Sequence, residues 1–216
     1  MKLPRKTLEK KLFKSGYRVI YAVDEVGMGC LAGPVVVCAM AFKKKFFNNK
    51  QVKLKGVADS KLLNAQQREK LAIELMKNKD IKFQISFCYP KTIDRINIYS
   101  AARKAMKRAV FKLSKLRLNL NLRTIVLVDG KTKIKGLDIE QMPVVKGDRK
   151  IFAIACASII AKVHRDKMMT RYAKKYPNYG FEKHKGYGTK HHQAQLVSLG
   201  PSSIHRKSFA PVAKLV

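Results

Sequence analysis

The sequence predicts an α/β domain built on a mixed sheet. Three observations carry that prediction. Short apolar runs of strand length recur along the 216 residues, segments with helical apolar spacing fall between them, and no repeat or low-complexity tract interrupts the alternation. A hydrophobic content of 46% is enough to build one sizeable core.

Residues 4–15 read as a short basic helix, followed by strands over Arg18–Val23 and Val35–Phe42, with the intervening glycines supplying tight turns. Asn64 and Gln67 have the spacing of a capping box, and Leu71, Ala72, Leu75 and Met76 continue that helix to Asn78. Ile81–Cys88 is the next strand, stopped by Pro90. From Thr92 to Leu113, apolar residues recur at Ile93, Ile96, Tyr99, Ala102, Met106, Ala109, Val110 and Leu113, the spacing of one amphipathic helix. Thr124–Val128 is apolar after its first residue, as a buried strand would be, and it stops at the turn pair Asp129-Gly130. Met142–Val145 is the last strand and runs into Lys146-Gly147-Asp148. Asp148 then reads as the N-cap of a helix carrying Ile151, Ile154, Ala155, Ser158 and Ile159. No domain boundary is expected before the region near Lys174.

Lys and Arg number 47 against 14 Asp and Glu, a formal net charge of +33. Such a balance attracts polyanions, although a lysine-rich surface is often simply solvated. Nucleic acid is favoured over membrane, because no segment joins a wide apolar face to the basic residues. The N-terminus is basic without an unbroken apolar run, and the longest apolar stretch, Val35–Phe42, is too short to span a bilayer. A cytoplasmic protein without a membrane partner is expected. Cys30, Cys38, Cys88 and Cys156 form no CxxC pair, and the five histidines add no zinc-like spacing, so the thiols read as reduced and mostly buried.

In so acid-poor a chain, the adjacent pair Asp24-Glu25 at the end of the apolar run Val19–Val23 opposes folding unless a cation sits on it. Asp129 and Asp148 also fall where a strand gives way to a turn or helix, and neighbouring strands would bring all four together. Hard cations such as Mg²⁺ or Mn²⁺ take carboxylate oxygens. Two such ions a few ångströms apart activate a water and stabilise the leaving oxygen of a phosphodiester. Each acid also has an ordinary reading: Asp129 as a turn residue, Asp148 as a cap, Glu25 as an exposed acid. The ensemble favours the metal site.

The runs YAVDEVGMGCLAGPVVV (21–37), ADSKLL (58–63), IDRINIYSAARKAM (93–106), LVDG (127–130), VVKGD (144–148), CASIIAKVHRDKMM (156–169), YGFEKHKGYGT (179–189) and HRKSFAPV (205–212) resemble type 2 ribonuclease H, ribonuclease HII, in the family's order from Tyr17 to Val212. The resemblance implies an RNase H-like fold, with a central mixed five-stranded sheet flanked by helices and a helical C-terminal extension. It divides the chain into a basic segment (1–16), a catalytic domain (17–173) and an extension that helps bind substrate (174–216). The implied reaction is two-metal, Mg²⁺- or Mn²⁺-dependent cleavage of the RNA strand of RNA/DNA hybrids. Single ribonucleotides embedded in duplex DNA are also implied substrates, with 3′-hydroxyl and 5′-phosphate ends, by a monomer.

By motif, Asp24, Glu25, Asp129 and Asp148 match the family's four metal ligands. Gly27, Met28 and Gly29 match the glycine-rich loop that reads the ribose 2′-hydroxyl through its backbone. Tyr187 matches the tyrosine that packs on the sugar after the ribonucleotide, and Ser60 and Lys61 fall where phosphate contacts are expected. The family's usual residue between the two glycines is arginine; Met28 removes that side chain while leaving the backbone readout. The spelling of this loop is also similar to type 3 ribonuclease H, which cleaves longer hybrids. That family carries a sizeable N-terminal substrate-binding domain, whereas only a short stretch precedes Arg18, and the HKGYGT and HRKSFAP runs favour type 2. The other readings are hybrid-only cleavage of the type 3 kind and a non-catalytic basic nucleic-acid-binding module.

Several neighbours read as structural. Asp166 lies inside a helix beside Lys162 and Arg165 and pairs locally. His184, His191, His192 and His205 are phosphate-proximal or structural, because a two-metal mechanism needs no histidine. Lys146, Arg149 and Lys150 screen the acids around Asp148, and Ser208 and Phe209 pack the tail onto the domain.

Overall fold

The computed structural model describes residues 3–48, 54, 56–57, 63–115 and 122–216. Its sheet contains β1 (Val19–Val26), β2 (Val35–Lys43), β3 (Ile81–Cys88), β4 (Thr124–Asp129) and β5 (Glu140–Val144), in the spatial order β3-β2-β1-β4-β5. The pairs β1–β2 and β2–β3 are antiparallel, whereas β1–β4 and β4–β5 are parallel. This is the mixed five-stranded sheet expected from the sequence. Pro143 is accommodated because β5 is an edge strand.

Helices among the described residues are α1 (Thr7–Lys14), α2 (Lys44–Asn48), α3 (Ala65–Lys77), α4 (Pro90–Ile96), α5 (Ile98–Ser114), α6 (Gly147–Lys150), α7 (Phe152–Lys175), α8 (Phe181–His184), α9 (Lys190–Leu199) and α10 (Ala210–Ala213). Strand side chains alternate between faces. Ile20 and Ala22 of β1 therefore join Ile125 and Leu127 of β4 in a core against α7. Val19, Tyr21 and Val23 face the other way, into a core closed by Ala102, Ala105, Met106 and Ala109 of α5.

Three expectations need correction. The helix foreseen over Thr92–Leu113 is two helices, because Asn97 adopts φ 62° and its side chain accepts the Ser100 amide at 2.9 Å, starting α5 afresh. Apolar spacing continues across the break and hides it. Asp24 and Glu25 do not follow β1 but lie within it, paired with Cys38 and Val37 of β2. Asp148 is not the N-cap of the long helix: it sits in the one-turn α6, and α7 starts after Ile151, which has no side-chain cap.

The amide of Ala153 in the first turn of α7 instead donates to Glu9 Oε1 of α1 at 2.8 Å. Arg5 adds backbone bonds on the same junction, from its amide to the Lys150 carbonyl and from the Phe152 amide to its own carbonyl. The capping box of α3 is present in both directions, through Asn64 and Gln67. Beyond α7 the chain folds back, so that Tyr179, Phe181 and Ile204 pack on Ala32 and Met169. Isolated bridges pair Cys30 with Tyr187 and Ala32 with His205, joining this extension to the loop after β1.

Candidate active site

β1 and β4 run parallel with Val23 opposite Val128, which sets Asp24 and Asp129 side by side one residue further on. Alternation sends Asp24 and Glu25 to opposite faces of the sheet end. Asp24 meets a hydrogen bond from Ser158 of α7, and Glu25 lies in the field of Arg103 of α5. One carboxylate oxygen from each of Asp24, Glu25 and Asp129 falls within 4.8 Å of the others. Asp148 lies outside this triad but lines the same cleft of about 300 Å³, with Ser158, Lys162 and Tyr187.

Local hydrogen bonds fix the triad. Asp24 Oδ1 accepts the amide of Glu25 at 2.8 Å, and Asp129 Oδ1 accepts the amide of Gly147 at 2.7 Å. Gly147 sits where space is short: a Cβ there would lie 2.6 Å from Ile154 Cδ1 and 3.1 Å from that same Asp129 oxygen, so a side chain would have to push one or both aside. The preceding Lys146 takes a left-handed conformation, φ 56°, to turn the chain from β5 into α6. Asp148 thus reaches the cleft from a strained turn after β5 rather than from the cap of the long helix.

The acids are in electrostatic conflict. Burial, then the charges of Glu25 and Asp129, push the Asp24 carboxyl well above its ordinary range, against the Ser158 hydrogen bond. Burial and Asp129 raise Glu25 to about 7, partly opposed by Arg103. Glu25 Oε2 is buried with no hydrogen-bond partner. Three converging carboxylates, one of which carries an orphaned oxygen, in a site that disfavours negative charge, fit a hard divalent cation.

The remaining sequence candidates divide. Gly27, Met28 and Gly29 line the cleft, as does Tyr187, which is 38% exposed. Met28 is partly buried and packs against the α5-side core. Ser60 and Lys61 lie outside the described residues. Lys162 and Asp166 form the local pair expected, at 2.7 Å. Ser208 Oγ donates to Asp94 at 2.6 Å and anchors the tail. All four cysteines are free and buried. His184, His192 and His205 are structural. The amide of Ser202 donates to His205 Nδ1, so His205 Nε2 carries the proton and donates to His192 Nε2 at 3.1 Å. His192 Nδ1 then donates to the Tyr187 carbonyl at 2.9 Å.

Sequence reasoning missed Ser158 and Lys162 as cleft residues. The signal was available: they are the polar residues of FAIACASIIAK and stand four apart, on one helix face. Arg165 and Arg206, fully buried beneath the loop after β1, left no such signal.

Comparison with known proteins identifies the family. The family model described as Ribonuclease HII matches residues 22–212. Ribonuclease HII of Caldicellulosiruptor saccharolyticus is 46% identical over 202 residues, covering 94% of this chain and 92% of its own. That of Acholeplasma laidlawii is 43% identical over 216 residues, covering 100% of this chain and 99% of its own. The crystal structure of ribonuclease H2 from Pyrococcus horikoshii superposes with a TM-score of 0.71 at 26% identity, covering 91% of this chain and 96% of that one. With its mixed sheet, its acidic cleft and relatives that span almost its whole length, the chain belongs to the ribonuclease HII family and is a ribonuclease H nuclease.

Proposed function

We propose that this protein cleaves the RNA strand of RNA/DNA hybrids and, in particular, duplex DNA at single embedded ribonucleotides, leaving 3′-hydroxyl and 5′-phosphate ends. The observation that carries the reading is the triad Asp24, Glu25 and Asp129, with its orphaned Glu25 oxygen. The family is divalent-metal dependent, and these three residues would hold the cation with Asp148 at the cleft wall. When bound, Mg²⁺ or Mn²⁺ supplies charge neutralisation at the phosphate and lowers the barrier to attack by water.

The chain's own residues do the rest. Ser158 orients Asp24, and the Gly147 amide orients Asp129, so both carboxylates are held before substrate arrives. Lys162 and the basic surface offset phosphate charge, while Tyr187 offers an aromatic face to a sugar. The extension beyond Lys174 contributes to substrate binding through Tyr187, and Gly27–Gly29 present backbone to the ribose. Met28, turned toward the core, keeps hybrid-only cleavage as a second reading, since it brings no charged side chain to the phosphate.

The test is cleavage of a duplex with one ribonucleotide beside a continuous hybrid, with chelator and with added Mg²⁺. Cleavage at the ribonucleotide that needs the cation and disappears in Asp129→Asn supports the proposal. Full activity in Asp129→Asn removes the catalytic assignment, and cleavage of the hybrid alone favours the second reading.

A further inference from the structure

Arg165 of α7 and Arg206 of the C-terminal tail are each 0% exposed. A buried guanidinium ordinarily needs a carboxylate. Among the described residues neither forms an ion pair, and their hydrogen bonds go to main-chain carbonyls instead. Arg206 donates to Gly27 at 2.6 Å, Met28 at 2.9 Å and Gly33 at 3.0 Å. Arg165 donates to Ala32 at 3.0 Å, Pro34 at 3.0 Å and Lys185 at 2.8 Å. Together they take most of the carbonyls of the loop after β1 and one from the segment that carries Tyr187. The fit is tight: a Cβ on Gly27, whose φ is +93°, would lie 2.3 Å from Arg165 Nε.

The direction of these bonds has a chemical result. In a trans peptide the C=O and the next residue's N–H point to opposite sides. Drawing the carbonyls of Gly27 and Met28 inward to Arg206 turns the amides of Met28 and Gly29 outward, on the loop that lines the cleft. Neither amide donates to a protein acceptor among the described residues. Two spare donors over a buried positive charge suit a hydroxyl or phosphate oxygen.

We propose that Arg206, assisted by Arg165, is the positioning residue that sets this loop to read the ribose, so that recognition of the ribonucleotide is imposed by the C-terminal tail. The inference rests on the ribonucleotide-cleaving reading above. Arg206 touches no substrate. It acts by fixing two peptide planes, and a flexible ammonium cannot replace its three-pronged grip.

The experiment compares the wild type with Arg206→Lys on a duplex carrying one ribonucleotide and on the same duplex carrying a 2′-fluoro nucleotide there. Mn²⁺ affinity is measured alone by calorimetry. In Arg206→Lys the preference for ribose over 2′-fluoro is expected to fall about tenfold or more through kcat, with Mn²⁺ affinity unchanged. Should Arg206→Lys not fold, Asp94→Ala takes its place. It frees the tail by removing the acceptor of the Lys207 and Ser208 amides, leaves the guanidinium intact, and is expected to lower the same preference. A folded variant that keeps the wild-type preference overturns the role of Arg206 alone. A wild type without preference overturns the ribonucleotide reading, and this inference with it.

Discussion

Replacing Glu25 with glutamine separates what the site needs for catalysis from what the fold would choose. Folded Glu25 holds its proton up to about pH 7, against an ordinary value of 4.5, a difference equivalent to about 3 kcal/mol. The sign follows from linkage. Between pH 4.5 and 7 the folded chain binds the proton more tightly than the unfolded chain, so stability falls as pH rises through that window. The penalty is absent below it and complete above it. In chelator at pH 8, Glu25→Gln is therefore expected to be more stable than the wild type by about 3 kcal/mol, a rise in melting temperature of roughly 6–12 °C for a chain of this size. At pH 4.5 the two should melt together. Added Mg²⁺ should raise the wild type and not the variant, closing the gap, while the variant loses cleavage activity. Thermal melts at the two pH values, with and without the cation, check all of this. A variant no more stable than the wild type at pH 8, or equally stabilised at pH 4.5, refutes the reasoning.

His192 and His205, both buried, titrate near 4 because burial, and then neighbouring histidines (His184 and His191 for His192, His192 and His184 for His205), disfavour protonation, so their contribution is lost as pH falls from 6.5 toward 4. Removing one of them with His205→Asn should reduce the stability lost between pH 7 and pH 4.5, measured by urea unfolding, by about 2 kcal/mol relative to the wild type. Gly147→Ala forces a methyl against Ile154 and the Asp129 carboxylate. It should destabilise by about 1–3 kcal/mol and slow cleavage about tenfold or more by displacing the Asp129 carboxylate; an alanine variant with wild-type turnover contradicts this reading of Gly147. Glu9→Ala strands the Ala153 amide and should cost about 1–2 kcal/mol. Glu9→Gln keeps the acceptor and removes a buried charge whose Oε2 is unpartnered, so its urea midpoint should match or exceed the wild type.

The features legible in the sequence are those written in local spacing. The capping box at Asn64, the strand cores and the apolar face of α5 follow from period and cap chemistry. The acids stood out because the chain has so few. What escaped depends on partners far along the chain. Asp24 and Glu25 belong to β1 because β2 continues to pair with them, which no property of residues 18–26 announces. The break at Asn97 is hidden because apolar spacing runs through it. Glu9 looked like one acid in a basic helix, yet its acceptor role is 144 residues away. The burial of Arg165 and Arg206 left no mark in the sequence, since a carbonyl partner leaves no complementary residue to find.

The grip of Arg206 on Gly27 spans 179 residues. At about 5–20 residues per second of synthesis, the loop waits on the order of 10–40 s for its anchor to be made. During that interval the sheet can pair while the cleft lacks its finished wall. Until Arg206 is made, the carbonyls of Gly27, Met28 and Gly33 lack their donor, so this wall of the cleft is completed only after the strands that carry the acids can pair.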